Sequence, residues 1–67
     1  MTIYLNNQPI ELPSEDITIK DLLEIKNINP QGTAVAIDDH LILKNKWETT
    51  PLSDNMRVTI ISAAFGG

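Results

Sequence analysis

Only one stretch of this chain has the hydrophobic spacing of a helix; the rest alternates like strand or is broken by turn residues. Ile19, Leu22, Leu23 and Lys26 fall at i, i+3, i+4 and i+7 with Ile25 flanking, so one face is apolar while Lys20, Asp21 and Glu24 face water. Thr18 stands three residues before Asp21, which is close to a capping box with Asp in place of Glu or Gln. Asn27, Asn29, Pro30 and Gly32 each oppose continuation. The spacing predicts a helix of about ten residues, near the usual length, opening after Thr18 and ending near Asn27. A lone amphipathic helix needs a sheet to pack on, and the strands must supply it.

Thr2-Ile3-Tyr4-Leu5 alternates in polarity, Asn6-Asn7-Gln8 is turn-prone, and Pro9-Ile10-Glu11-Leu12 alternates again, the pattern of a hairpin with a proline on an edge strand. Thr33 to Ile37 reads as a third strand, with Val35 and Ile37 on one face and small alanines on the other, so that it can be buried on both. Asp38-Asp39-His40 reads as a polar turn and Leu41-Ile42-Leu43 as a short fourth strand. Lys44 to Asn55 is irregular, anchored by Trp47 and Leu52. Met56 to Ile61, rich in β-branched residues, is the clearest strand of all. The order β-β-α-β-β-β predicts an α+β layer arrangement; placing the last strand beside the first in the sheet centre makes it the ubiquitin-like β-grasp. A four-stranded sheet, with residues 41 to 43 in a loop, remains the alternative to five strands. The expected division is a domain over 1-61 and a flexible tail over 62-67.

Composition narrows the function. A chain of 67 residues is one domain, too small for a deep enzyme cleft with its own lid. Leu, Ile, Val and Phe make up about 30% of it, above the ~20% below which chains tend to stay disordered. Nine acidic against five basic side chains give a net charge of -4, the wrong sign for binding a phosphate backbone. With no cysteine there is no disulfide and no thiolate nucleophile or ligand. No apolar run approaches the ~18 residues of a membrane span and no basic leader precedes one, so the expected location is the cytoplasm.

Chemistry within the chain is sparse. Asp38-Asp39-His40 offers ligand types for a metal, but adjacent residues diverge in direction and no second His or Cys completes a set, so a solvated turn is the plainer reading. His40 has no nucleophile in register, since Ser14, Ser53 and Ser62 sit in turn or tail contexts. Gly32 stands alone and makes no phosphate-cradling loop. Trp47 reads as a loop anchor rather than a docking residue, and the acidic surplus as solubility. No catalytic or metal-ligating residue is expected.

The remaining feature is Ser62-Ala63-Ala64-Phe65-Gly66-Gly67, directly after the strongest strand. Small residues at a chain end are common. Rooted in a sheet, though, six residues extend roughly 20 Å, far enough to enter another protein's active site. Glycine at the last two positions lets the main chain thread a narrow channel and leaves the Gly67 carboxylate open to attack.

The whole chain resembles the ThiS-type sulfur carrier proteins of thiamin biosynthesis, small ubiquitin-like proteins ending in Gly-Gly. The resemblance lies in Ile3-Tyr4-Leu5-Asn6 before a tight turn, Thr18 opening a helix with Leu22-Leu23, and Ala34-Val35-Ala36-Ile37-Asp38 as the middle strand. Trp47 after a basic stretch and the last strand running into Gly66-Gly67 complete it. Phe65, where small or polar residues are expected, and Ser53-Asp54-Asn55, in place of a Gly-containing turn, depart from the pattern. The resemblance implies a carrier, not an enzyme, with no bound cofactor. A ThiF-type adenylyltransferase, resembling the ubiquitin-activating enzymes, would use ATP to adenylate Gly67, with Ala63, Ala64, Phe65 and Gly66 in its channel. A cysteine desulfurase or rhodanese-type donor would then supply sulfur, and the resulting thiocarboxylate would pass it to a ThiG-type thiazole synthase.

Strand alternation adds a docking expectation. If Ile3, Leu5, Val58 and Ile60 point toward the helix, then Tyr4, Thr59 and Ile61 lie on the opposite face, which a chain with one helix leaves uncovered, unless the Trp47 loop lies over it. Three other readings compete: the small subunit of molybdopterin synthase, which also ends in Gly-Gly; a protein modifier joined to lysines through Gly67; and a plain β-grasp interaction module.

Overall fold

The computed structural model describes residues 1–13 and 15–62. The chain opens with β1 (Thr2–Leu5) and β2 (Gln8–Glu11), paired antiparallel with Leu5 opposite Gln8. The two residues between them, Asn6 and Asn7, take φ of 50° and 69°, the backbone of a type I′ turn, which suits the twist of a hairpin and which Asn tolerates better than most residues. The same device recurs between β3 (Thr33–Ile37) and β4 (His40–Ile42), where Asp38 and Asp39 have φ of 49° and 66°.

Helix α1 (Ile19–Ile25) starts at Thr18, whose hydroxyl accepts from the Asp21 amide at 3.2 Å while the Asp21 carboxylate accepts from the Thr18 amide at 3.1 Å. The predicted capping box is therefore present with Asp. The helix ends at the expected Asn27, which turns left-handed with φ 56°, and spans seven residues rather than about ten. The Ile28 amide bonds to Leu23 O at 2.8 Å and the Asn27 amide to Glu24 O at 3.1 Å, which is a Schellman motif. Lys26 is thereby the cap and exposed, not part of the apolar face, and Ile25 is exposed too. Ile19, Leu22 and Leu23 carry the buried stripe.

The five strands form one sheet in the order β2-β1-β5-β3-β4, with β5 (Arg57–Ser62) parallel to β1 and antiparallel to β3. First and last strands lie side by side within the sheet and a single α-helix packs on it: the ubiquitin-like β-grasp in its five-stranded form. Several boundaries differ from the sequence reading. Gln8 and His40 begin strands rather than closing turns, Leu12 and Met56 fall outside β2 and β5, and Leu43 leaves β4 to precede a 3-10 helix over Lys44–Thr49. That segment, read as irregular, is fixed by Trp47, which is buried and whose indole Nε1 donates to Ile42 O at 2.9 Å. Leu52 is buried beside it, its amide bonded to Ile17 O at 2.8 Å.

Among the described residues the core comprises eleven, including Ile3, Ile19, Leu22, Val35 and Val58 at 1% exposure or less. All lie between the helix-facing side of the sheet and the elements packed there. No buried side-chain polar atom among the described residues lacks a partner, so a small core without disulfides carries no unpaired polar burden.

Candidate docking face and root of the C-terminal segment

β5 is held to its last residue on the β3 side and as far as Ile60 on the β1 side. Ser62 stands opposite Thr33 on β3, so this residue, expected to begin the tail, ends the strand instead. On the β1 side the ladder runs past the end of the strand. The Asn6 amide bonds to Val58 O at 2.9 Å, and the Asn6 side chain then takes both main-chain groups of Ile60, accepting from its N–H at 2.9 Å and donating to its C=O at 3.3 Å. A turn residue thus substitutes for one more strand residue beside the end of β5. Ala63, Ala64, Phe65, Gly66 and Gly67, expected as the channel segment and modified residue, lie outside the described residues, as does Ser14.

Alternation along β5 sends Val58 and Ile60 into the core and leaves Thr59 and Ile61 exposed. Across the sheet, Thr59 stands opposite Ala36, which stands opposite Leu41; Ile61 stands opposite Ala34. Leu43 follows Leu41 at the strand period. Ile61, Leu41 and Leu43 are 61%, 66% and 62% exposed, and the two alanines between them keep the surface low. The face away from the helix therefore has an apolar saddle beside the end of β5. Tyr4, expected to be exposed there, is half-buried; it pairs with Arg57, whose guanidinium lies 5.7 Å from the ring centroid, a cation–π distance. The Trp47 segment packs on the opposite, helix side. Leu41 and Leu43 were missed as face residues, although their alternation with Ile42 carried the signal.

The polar clusters offer little chemistry. Asp38 and Asp39 form the turn and His40 is exposed at the start of β4. Among the described residues no group of three or more His, Cys, Asp or Glu converges as a metal site. Among the described residues no helix is long and apolar enough to cross a membrane. What this chain can offer a partner is a flat apolar face and whatever follows Ser62.

The model of the ThiS family matches residues 3–67. The chain belongs to the ThiS family. Two solved structures of the thiamine biosynthesis protein ThiS from Geobacter metallireducens share its fold. The crystal structure superposes with a TM-score of 0.85 at 17% identity, covering 100% of both chains. The solution structure does so with 0.84 at 17% identity, covering 100% of this chain and 88% of that one. No curated protein matches by sequence. As a ThiS-type protein the chain is a sulfur carrier of thiamine biosynthesis, and the match runs through Gly66 and Gly67.

Proposed function

We propose that this carrier holds sulfur on the Gly67 carboxylate and delivers it for assembly of the thiazole ring of thiamine. The observation that carries the reading is the family match through the final glycine. A carboxylate is ionised at neutral pH and is a poor electrophile, so loading needs activation. A ThiF-type partner transfers AMP from ATP to the carboxylate, releasing pyrophosphate. A persulfide from a cysteine desulfurase or rhodanese-type donor displaces AMP through its terminal sulfur, forming an acyl disulfide, and attack of a second thiol on the donor's sulfur releases the thiocarboxylate and leaves the donor in a disulfide with that thiol. A ThiG-type thiazole synthase takes the sulfur and returns Gly67 as carboxylate. The carrier is a co-substrate rather than an enzyme and works in the cytoplasm beside its ATP-using partner. The absence of cysteine means that no internal thiol can capture the acyl group.

The described geometry supports this reading in two ways. The ladder that runs to Ser62 and Asn6 starts the following residues from a defined point, which limits the search a partner's channel must make. The saddle of Ile61, Leu41, Leu43 and the alanines, with Thr59 and Tyr4 alongside, supplies an apolar surface next to that point, the kind that marks interaction sites. Intact mass of the protein purified from its native host is the test. A species heavier by the exchange of one oxygen for sulfur, localised to Gly67 by fragmentation, is expected; its absence during active thiamine synthesis would overturn the proposal.

A further inference from the structure

The sheet has two outer edges, β2 and β4, and they carry different residues. Beside β5, the Tyr4 amide bonds to Met56 O and the Asn6 amide to Val58 O, both at 2.9 Å. Tyr4 thus turns its main-chain groups toward β5, and Pro9, opposite Tyr4, turns its own to the open edge of β2. Proline has no N–H to offer there, which closes that edge to further pairing. On the other side the Asp38 amide bonds to Arg57 O at 3.1 Å, so Ala36, two residues earlier, also turns toward β5. Leu41, opposite Ala36, therefore points its N–H and C=O into the open edge of β4. Neither group has a partner among the described residues, and the leucine side chain is exposed.

Charge along this edge is self-complementary. The Asp38–Asp39 turn lies at one end of β4 and Lys44 follows Leu43 at the other, all three exposed. Lys44 shares a cleft with Lys20, Glu24 and Glu48, and the two aspartates share a hollow with Arg57. None of the three makes an ion pair among the described residues. An antiparallel copy of β4 reverses the order of charges: centred on Leu41, it sets Leu41 of one copy against Leu41 of the other, Leu43 against Asp39, and Lys44 against Asp38. The basic end of each edge meets the acidic end of the other.

We propose that two copies of this chain pair edge to edge through β4, antiparallel about a two-fold axis at Leu41. The Leu41 N–H of each copy donates to the Leu41 carbonyl of the other. On the outer face the two Leu41 side chains and their Leu43 neighbours form one apolar row, and Lys44 of each copy meets the Asp38–Asp39 turn of the other. β4 is three residues long, so the contact is small and the dimer weak and reversible. The copies lie side by side in one sheet, which leaves the outer face open. The pairing does not rest on the sulfur-carrier reading.

Sedimentation equilibrium and NMR of the full chain without partners, up to about 1 mM, test this. Expected are a mean mass that rises with concentration, concentration-dependent amide shifts centred on residues 40 to 44, and, in a sample of differently labelled copies, an NOE between the Hα of His40 in one and the Hα of Ile42 in the other. Leu41→Pro removes the outward N–H at an edge position that tolerates proline, and Lys44→Glu sets like charges together. Each should weaken association at least threefold, and Asp38→Asn with Asp39→Asn should recover part of the loss in Lys44→Glu. A monomer at every concentration overturns the proposal, as does a dimer whose NOEs join outer faces rather than edges. Association unchanged in either folded variant overturns it as well. Whether Gly67 carries sulfur is read separately, by intact mass.

Discussion

The side chain of Asn6 and the main chain of Ile60 are joined by two hydrogen bonds across 54 positions of sequence. The amide mimics a peptide group, and it does so from a residue whose own φ is 50°. Replacing Asn6 by glycine keeps the turn and removes both bonds. At about 1 kcal/mol per bond the expected loss is about 1–2 kcal/mol. Asn6→Ala should lose about 1 kcal/mol more, for a β-carbon in the left-handed region. Urea unfolding of the two variants checks the order, and wild-type stability in Asn6→Gly would remove the amide from the account of how β5 is held.

Asn27 ends α1 in the left-handed conformation. Asn27→Gly should stabilise the fold by about 0.5–1 kcal/mol, because glycine takes that conformation without steric cost. A rise in Tm of about 2–8 °C is expected for a domain of this size, and a fall would mean that the Asn27 side chain contributes more than its backbone.

Core and outer face should respond differently. Leu22, fully buried on α1, should cost about 2–5 kcal/mol on replacement by alanine. Ile61→Asp and Leu41→Asp, on the exposed saddle, should change stability by about 0.5 kcal/mol or less while weakening binding to the adenylating partner at least tenfold by titration calorimetry. Unfolding of either variant would contradict the exposure described; wild-type affinity in a folded variant would place the interface elsewhere.

A free carboxylate on Gly67 is required by the proposed chemistry. One extra alanine after Gly67 should abolish sulfur loading with no change in thermal stability. Gly66→Val should leave the fold intact and slow adenylation, since a branched Cβ would crowd the narrow channel that the proposed activation requires. Loading of the extended chain, shown by mass to be untrimmed, would disprove the requirement.

Much of this architecture was legible in the chain itself. Thr18 and Asp21 announced the helix start, Val35 and Ile37 the central strand, and the Val58–Ile61 alternation the strand that carries the terminus. The misread parts have physical causes. The helix ends at Asn27 as expected, but the Schellman motif there makes Lys26 its cap, so the apolar face stops short of the i+7 position assigned to it. Leu43 reads as strand by composition, but the indole of Trp47, bonded to Ile42 O, fixes the segment that follows as a 3-10 helix. Pairing of β5 with β1 is set by contacts across the whole chain, which no local pattern encodes. Leu41 and Leu43 were legible as strand residues; their role in the outer face emerged only when the register put Ala34 and Ala36 between them and β5.

The central position of β5 has a consequence for biosynthesis. A ribosome delivers β2-β1 first and β3-β4 later, as two hairpin-like halves with nothing between them. The strand that joins them is the last to emerge, and pairings so distant in sequence form late. A chain interrupted before β5 has an open sheet and also lacks the terminal glycines. Closure of the sheet and the carboxylate proposed to carry sulfur thus depend on one and the same stretch of chain.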